Sequence, residues 1–456
     1  MARCMSFTSS MLLLALASGP LIAAAPPNIL LISCDNLGYG YLPCYNPASD
    51  IRAPHLDRLA SQGARLTSFY TASPTCTVSR ACLLTGRIPQ RHGLLDQLAG
   101  VAGNYGIGLR HQEILLPQFL KQSATPYVTG CFGKWNIGFA AGSRPTERGF
   151  DEFVGHASGN LDYYQHNYRE RHDLYHGTEE LHREGEYVTE IFSKAAVDFL
   201  TRHRRTQDNT SGRPWFCYLP FNAPHFPTAK NKRKGQPNIW QAPDDAFHAI
   251  QLSPNETDPR RRYRAVVFAL DRAIGQVLQA LEQTDQTENT FVFFMSDNGA
   301  FCLDRRGLDV GINDPLRSGG VTTWEGGLRV AEIARWPGHI PAGSLIAEPF
   351  WSPDILIACA QLSSISLPRN ITFDGKNPLP VLTAKGRSPH ESFFFEYRQY
   401  AALRKGDWKI VREQPDRPWQ LFNLKDDVTE SKDLARNRPD KVADLNKLFQ
   451  AWKKET

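Results

Sequence analysis

Short runs of apolar residues recur along this chain, and stretches with helical spacing lie between them. Runs at 28–33, 127–131, 215–219 and 290–295 have the length and composition of buried strands. Residues 55–63 have the pattern of a helix, and residues 264–281 place apolar side chains at 267, 270, 274, 277, 278 and 281, which is helical spacing. This alternation predicts an α/β fold with a large, mostly parallel sheet flanked by helices.

The pattern changes after residue 350. Prolines interrupt the chain repeatedly, and strand-like pieces then follow at 392–397, 408–411 and 420–424, before a final helix at about 441–453. We therefore predict two units: a large catalytic domain at 26–350, and a smaller C-terminal subdomain at 351–456 that consists of an antiparallel sheet and one packed helix.

The first 25 residues have the pattern of a secretory signal peptide. They contain a positive residue, Arg3, a short apolar run at 11–22 and small residues suited to cleavage at 23–25. The run is too short for a membrane-spanning helix, and no other stretch is long and apolar enough for one. We expect a mature protein that begins near Pro26, has no membrane span and is secreted or periplasmic.

Composition narrows the classes of function. Lys and Arg number 52 and Asp and Glu number 47, which gives a formal net charge of +5. That excess is too small to indicate nucleic-acid binding. The nine cysteines are scattered and include no C-x-x-C pair that would hold a structural zinc ion.

Polar residues suited to metal binding or acid–base chemistry follow each of the four predicted strands. They are Asp35 and Asn36 after the first strand, Gly133 and Lys134 after the second, Asn222 and His225 after the third, and Asp297 and Asn298 after the fourth. Any one such pair could be turn chemistry, because Asp, Asn and Gly favour turns. Open α/β sheets, however, bind ligands at the carboxyl ends of their strands. The four ends together predict one site at one sheet edge.

The segment SPTCTVSRACLLTG at 73–86 is the strongest motif in the chain. Its second half has the pattern of a helix, which places Cys76 just before a helix N-terminus, where backbone N–H groups favour an anion such as sulfate. The segment resembles the signature of the sulfatase family, C-x-P-S-R followed three residues later by L-T-G. It shares with that signature Cys76, Ser79, Arg80 and residues 84–86.

This resemblance implies a formylglycine-dependent, arylsulfatase-like enzyme of the alkaline-phosphatase-like superfamily. In that family a formylglycine-generating enzyme oxidises the signature cysteine, here Cys76, to an aldehyde during export. The hydrate of the aldehyde supplies the oxygen that attacks sulfur. The alternative for Cys76 is a buried structural cysteine.

The resemblance covers nearly the whole mature chain, and it implies a metal site. Asp35, Asn36, Asp297 and Asn298 correspond to the family's metal ligands, and the oxygen of residue 76 completes the shell. All of these are hard oxygen donors, which favours Ca²⁺, with Mg²⁺ possible, over zinc.

Three further residues match family positions that act on the sulfate ester. Lys134, in Gly-Lys-Trp-Asn, matches the lysine that holds the sulfate, and Arg80 balances developing negative charge together with it. His225 matches the histidine that faces the leaving group, and a histidine can protonate a departing alcohol. The alternative for His225 is a loop histidine with surface bonds only.

Four positions depart from the family pattern. Val78 replaces the proline of the signature, Asn36 replaces an aspartate, and Asn136 replaces a histidine. Gly320 stands where the family has a second sulfate-binding lysine, and Arg317 is a candidate to take its place. We still expect oxidation of Cys76, because valine is stiff and favours the extended backbone that proline would impose.

The sequence therefore predicts a sulfuric-ester hydrolase that acts on an aryl or carbohydrate sulfate. Two alternatives stay open at this point. One is a phosphodiester or phosphonate hydrolase of the same fold. The other is a catalytically weakened binding protein derived from a sulfatase, which the four departures favour.

Overall fold

The computed structural model describes residues 26–98, 108–204, 212–227, 239–302 and 309–456. The signal peptide predicted at 1–25 lies outside these residues. The described strands are β1 (Asn28–Cys34), β2 (Ala64–Leu66), β3 (Phe69–Tyr70), β4 (Val128–Lys134), β5 (Glu152–His156), β6 (Asn167–Tyr168), β7 (Arg171–His172), β8 (Tyr175–His176), β9 (Glu179–Glu180), β10 (Trp215–Pro220), β11 (Thr290–Ser296), β12 (Glu332–Arg335), β13 (Ser344–Ile346), β14 (Phe350–Trp351), β15 (Ser392–Tyr397), β16 (Tyr400–Lys405), β17 (Trp408–Arg412) and β18 (Gln420–Asn423). The described α-helices are α1 (Pro54–Gln62), α2 (Cys76–Thr85), α3 (Pro89–His92), α4 (Leu116–Leu120), α5 (Val188–Arg202), α6 (Asp244–Ala249), α7 (Pro259–Gln283), α8 (Glu325–Leu328), α9 (Asp354–Leu362), α10 (Leu379–Leu382) and α11 (Pro439–Glu455).

The largest sheet has its strands in the order β13-β2-β12-β11-β1-β10-β4-β5-β8-β9. Its centre is parallel, from β11 through β1, β10 and β4 to β5. Antiparallel pairs lie toward both edges, where β12 joins β11 and β8 joins β5. The predicted α/β architecture with a mostly parallel sheet is therefore confirmed.

Alternate side chains of the central strands enter two different cores. Leu30 of β1 and Phe294 of β11 pack on one face with α1, α5 and α7. Leu31 and Phe293 pack on the opposite face with α2, α4 and α9. A strand buried on both faces needs an uninterrupted apolar sequence, which is why the sequence shows these strands as continuous runs.

The observed elements differ from the predicted ones mainly at their ends. The helix predicted at 264–281 is the central part of α7, and residues 28–33 and 290–295 lie within β1 and β11. β4 continues to Lys134, so Gly133 and Lys134 form the end of a strand and not the turn after it. β16 is a strand that the pattern does not predict, because its Ala-Ala-Leu centre fits a helix equally well.

The C-terminal strands β15 to β18 form a four-stranded antiparallel sheet. One face of this small sheet shares a core with Val78 and Cys82 of α2. The other face packs against α11. The small sheet therefore supports the helix that begins with Cys76.

A buried ionic network also joins the small sheet to Tyr70 and Glu325, which precede it in the chain. Lys409 Nζ of β17 lies 2.8 Å from Glu325 Oε1 and 2.9 Å from Glu430 Oε1. Tyr70 donates its hydroxyl to Glu325 Oε2 at 2.6 Å, and the backbone N–H of Glu325 donates to Glu430 Oε2 at 2.7 Å. Because water is excluded here, removal of one partner would leave an uncompensated buried charge.

Two further features bear on the sequence predictions. Among the described residues, no helix combines the length and the apolar character that a bilayer crossing needs. The cysteines of the described residues, from Cys34 to Cys359, form no disulfide with one another. The thiol of Cys76 is therefore not committed to a disulfide within this part of the chain.

Candidate active site

Three neighbouring parallel strands lead into the polar residues that the sequence singled out. β1 and β11 are paired up to Cys34 and Ser296, so Asp35 and Asp297 follow at the same sheet edge. The backbone N–H of Asp297 donates to the carbonyl oxygen of Cys34 at 2.9 Å, and the N–H of Asp35 donates to the carbonyl oxygen of Ala223, beyond β10, at 3.0 Å. Strand register thus brings together two aspartates that are distant in sequence.

Cys76 is the first residue of α2 and not, as predicted, the residue before the helix, and Val78 is helical and not extended. Cys76 lies in the same cluster as these aspartates. Its Sγ and one carboxylate oxygen each of Asp35 and Asp297 lie within 4.8 Å of one another. The unpaired N–H groups of a helix N-terminus favour an anion beside residue 76. Burial raises the pKa of the Cys76 thiol. The unmodified residue is therefore a protonated thiol, which is a poor nucleophile.

Two buried cations face the two buried carboxylates. Arg80 lies one helical turn after Cys76, and its Nη2 donates to Asp297 at 2.7 Å while its Nη1 donates to the carbonyl oxygen of Lys134 at 3.0 Å. Lys134 Nζ donates to Asp35. All four charged side chains are buried. The two positive and two negative charges balance, so the formal charge of this group is zero before a ligand binds.

The oxygen atoms around the two aspartates fit a divalent cation. Within the described ranges, Asp35 Oδ1 and Asn298 Oδ1 are buried without a hydrogen-bond partner. Asn298 donates to Asn36 Oδ1 at 2.5 Å, so a second amide oxygen lies beside the first. Burial, together with the charge of Asp35, raises the pKa of Asp297 to about 6. A divalent cation would relieve this cost, and hard carboxylate and amide oxygens are the donors that Ca²⁺ and Mg²⁺ prefer.

His225 lies on the loop after β10, between aromatic rings. Its Nδ1 is 2.6 Å from the carbonyl oxygen of Phe226, so Nδ1 carries the proton and Nε2 is the nitrogen with the lone pair in the neutral ring. The rings of Phe226 and Phe301 lie 4.5 and 6.0 Å from the imidazole, between centroids. Burial, and then the positive charge of Lys134, lower the pKa of His225 to about 3. His225 is therefore a buried, neutral histidine, and the alternative of a surface loop histidine is wrong.

The segment after β5 holds the loop of His225 in place. Tyr163 donates its hydroxyl to the carbonyl oxygen of His225 at 2.6 Å. Asn160 donates its side-chain amide to the carbonyl oxygen of Phe226 at 2.8 Å. Both contacts are to backbone atoms, so the position of the loop does not depend on the imidazole itself.

Asn136, which replaces a family histidine, contacts a residue that sequence reasoning missed. Its Oδ1 accepts from the Thr77 hydroxyl at 2.8 Å and from Gln97 Nε2 at 3.1 Å. Gln97 Oε1 in turn accepts from the Thr75 hydroxyl at 2.9 Å, from the Thr77 N–H at 3.2 Å and from Cys76 Sγ at 3.3 Å. A lone glutamine in a loop has no sequence signal, so only the fold reveals this contact with residue 76.

The position of the absent second lysine is filled by an aromatic ring. A Cβ atom at Gly320 would lie 2.6 Å from the Phe301 ring and 2.8 Å from the carbonyl oxygen of Gly299, so no side chain fits there. The Arg317 guanidinium lies 3.7 Å from the centroid of the Trp324 ring and donates to the carbonyl oxygen of Glu430 at 2.7 Å. The guanidinium of Arg317 is thus held beside the small sheet by these contacts. It does not take the place of the lysine, contrary to the expectation from the sequence.

Comparisons with known proteins point to one family. A family model described as Sulfatase matches residues 27–359. The chain is 32% identical to N-acetylgalactosamine-6-sulfatase of Canis lupus familiaris over 441 residues, which cover 92% of this chain and 79% of that protein. It is 34% identical to arylsulfatase A of Homo sapiens over 414 residues, which cover 87% and 77%. The crystal structure of Ps i-CgsB in complex with k-i-k-neocarrahexaose superposes with a TM-score of 0.82 at 30% identity, over 94% of this chain and 92% of that one.

Proposed function

Because this chain belongs to the sulfatase family, we propose that it hydrolyses sulfate esters to an alcohol and sulfate, using an oxidised Cys76 and a bound divalent cation. The observation that carries this proposal is the convergence of Cys76 with Arg80, Lys134, Asp35 and Asp297 at one buried point. A helix N-terminus and two buried cations beside a single reactive position suit the binding of a sulfate group.

The cation and the modified cysteine supply chemistry that the twenty ordinary side chains lack. Asp35, Asn36, Asp297 and Asn298 would hold Ca²⁺, or Mg²⁺, which supplies positive charge against the oxygens of the ester. Formylglycine at residue 76 would supply, as its hydrate, the oxygen that attacks sulfur. The cluster is balanced in charge without a ligand, so a divalent cation leaves it net positive and ready for an anion.

Arg80 and Lys134 bind the sulfate group and balance its charge as the S–O bond breaks. The ammonium of Lys134 has three N–H donors, and the structure directs one of them to Asp35. Arg80 Nε is buried without a partner among the described residues. Both cations act from a water-excluded site, where electrostatic stabilisation of a transition state is strongest.

His225 protonates the departing alcohol. Nδ1 donates to the carbonyl oxygen of Phe226, which leaves Nε2 as the position that can carry a transferable proton. An anionic ester beside the imidazole raises the pKa of His225 above its value of about 3 in the free protein, which favours the protonated, proton-donating form when the ester is bound.

We propose a sulfated carbohydrate as the substrate, with aryl sulfates as convenient surrogates. The name N-acetylgalactosamine-6-sulfatase and the oligosaccharide in the Ps i-CgsB structure support this class. Phe226, Trp240 and Phe301 line a small pocket beside His225 and Asn36. Its volume of about 10 Å³ is too small for a sugar ring, so these residues form an aromatic wall beside His225 and not a pocket for the alcohol part of the ester.

We also propose that the protein is exported and that a formylglycine-generating enzyme acts on it during export. The residue pattern of 1–25 supports export, and the match at Cys76, Ser79 and Arg80 supports recognition by that enzyme. Val78 is fully buried against the small sheet, so the folded site uses the valine side chain for packing.

The decisive experiment is mass spectrometry of the peptide spanning Cys76, from protein exported by its natural host. We expect an aldehyde at residue 76 and turnover of 4-nitrophenyl sulfate and sugar sulfates. Cys76→Ala should abolish both the aldehyde and the turnover. The matched control is Cys82→Ala on the same helix, which should retain the aldehyde and the turnover.

Two further results would decide between this proposal and its alternatives. Asp297→Ala should abolish activity while the fold persists, since the loss is local. Faster turnover of phosphate or phosphonate esters than of sulfate esters would favour the phosphorus-ester hydrolase. An unmodified thiol at Cys76 with no turnover of any sulfate ester would leave the binding protein as the explanation.

A further inference from the structure

Two histidines and a glutamate converge at the outer edge of the large sheet, away from the cluster around Cys76. His172 lies on β7, and His182 and Glu184 lie on the connection between β9 and α5. One ligand atom from each of the three side chains lies within 4.8 Å of the others. The two imidazole rings are 4.4 Å apart between centroids. The proposed sulfatase mechanism uses none of these groups.

Both imidazoles present the same nitrogen to the same carboxylate oxygen. His172 Nδ1 lies 3.5 Å, and His182 Nδ1 lies 2.9 Å, from Glu184 Oε1. Ligand atoms at the usual zinc distances of about 2.0–2.1 Å, arranged tetrahedrally, are about 3.3 Å apart. The two observed separations bracket that value.

The outer nitrogen of His172 has the hydrogen-bond partners that zinc-bound histidines usually have, and a carboxylate lies near the outer nitrogen of His182 at ion-pair distance. His172 Nε2 lies 3.1 Å from each of the carbonyl oxygens of Leu174 and Leu181. His182 Nε2 lies 3.6 Å from Glu180 Oε2. A metal-bound histidine characteristically donates its other N–H to a backbone carbonyl or a carboxylate, which fixes the tautomer.

The tautomer of His172 supplies an independent argument for a cation. Its Nε2–H donates to the two carbonyl oxygens, so in the neutral ring the Nδ1 lone pair faces the Glu184 carboxylate. Two acceptors facing each other repel, unless a proton or a metal cation lies between them.

We propose that His172, His182 and Glu184 bind one Zn²⁺ ion, with water in the fourth position and Glu180 as the outer partner of His182. Two imidazoles and one carboxylate suit zinc, whereas the all-oxygen cluster at Asp297 suits a hard cation. The second site is thus distinct in chemistry from the first.

The ion would cross-link the segment of the chain between β5 and α5. The two ends of this segment already meet, because the N–H of Gly185 donates to the carbonyl oxygen of Tyr164 and the N–H of Val188 donates to that of Tyr163, each within 2.9 Å. Zinc would add a cross-link between β7 and the connection to α5. Tyr163 also donates a hydrogen bond to the loop of His225. A zinc ion that stabilises this part of the chain would therefore also stabilise the position of that loop.

The test is a zinc titration of the tag-free, full-length protein, first stripped with a chelator and then equilibrated with Ca²⁺ to fill the oxygen-rich site. Isothermal titration calorimetry should find one Zn²⁺ per chain, and Co²⁺ should give the visible absorption of a tetrahedral complex. His172→Ala and Glu184→Gln should abolish this binding, and Glu180→Gln should weaken it about 10-fold. His176→Ala, an exposed histidine of the same segment, and Asp297→Ala should bind zinc as the wild type does.

Thermal unfolding gives a second readout. Zn²⁺ should raise the unfolding temperature of the wild-type protein and leave that of His172→Ala unchanged, because a ligand stabilises only the state that binds it. Wild-type zinc binding no stronger than that of His172→Ala would overturn the proposal. Loss of the zinc signal in Asp297→Ala alone would assign it to the active site and would also overturn the proposal.

Discussion

Replacing His225 with asparagine removes the proposed proton donor while keeping a short polar side chain on the same loop. Tyr163 and Asn160 hold the loop through backbone carbonyl oxygens, so its position should survive the change. The variant therefore isolates proton donation from loop geometry, and the two contributions predict different results for different leaving groups.

The size of the effect follows from the environment of the imidazole. The pKa of His225 is lowered to about 3 in the free protein, so protonation at pH 7 is opposed by 7 − 3 units, or about 5 kcal/mol. A bound anionic sulfate about 4 Å away, at an effective dielectric constant near 20, returns about 4 kcal/mol, and the charge of the bound divalent cation subtracts from this gain. The pKa of His225 should therefore be higher in the enzyme–substrate complex than in the free protein. Since the acid acts only when protonated, kcat for a sugar sulfate should fall as the pH rises through the pKa of His225 in that complex.

The assay compares a sugar sulfate with 4-nitrophenyl sulfate, for wild type and His225→Asn, across roughly pH 5 to 8. Loss of a general acid should reduce kcat on the sugar sulfate about 10²- to 10⁴-fold. Nitrophenolate leaves without a proton, so that loss should stay within about 10-fold, and the fall of kcat with rising pH should disappear in the variant. Equal losses on both esters, or an unchanged pH profile, would show that His225 positions the substrate and does not protonate it.

Three other predictions test particular contacts. Gln97→Ala should lower kcat about 10-fold or more with little change in the unfolding temperature, because it removes the acceptor beside the residue-76 side chain; unchanged steady-state kinetics would contradict this role. Gly320→Lys should cost about 1–3 kcal/mol of stability and add no activity, because its Cβ would meet the Phe301 ring at 2.6 Å; urea unfolding measures the cost, and a more active, equally stable variant would refute the argument. Burial raises the folded-state pKa of Asp271 to about 7, so its contribution to stability is complete at low pH and is lost as the pH rises toward 7. Asp271→Asn should flatten the unfolding temperature between about pH 4 and pH 7, and an identical slope in wild type and variant would contradict this.

The polar cluster could be predicted from sequence because strand register determines it. Asp35 and Asp297 follow two apolar runs that form adjacent parallel strands, and the sequence records both the runs and the residues that follow them. Lys134 illustrates a smaller error, because the strand continues through it and its side chain projects from the strand end and not from a turn.

The contacts of Gln97, Phe301 and Arg317 could not be predicted, because they depend on where loops fold back in three dimensions. Arg317 is an example: it lies three positions before Gly320, yet its guanidinium lies over the Trp324 ring and donates to the carbonyl oxygen of Glu430. His172 and His182 likewise lie in a polar stretch without periodicity, where short strand pairings decide which side chains meet.

The packing of the small sheet on α2 determines where loss-of-function mutations should be found. Phe422 of β18 is fully buried in the core that contains Val78, so truncation of its ring to alanine would cost about 3–5 kcal/mol next to the helix of Cys76. A screen for inactive variants would therefore also recover positions from the last part of the gene, in addition to positions near the signature. A stop codon after residue 350 would not yield a smaller enzyme. It would expose Val78 to solvent, and it would remove Lys409, the cation that pairs with the buried carboxylate of Glu325.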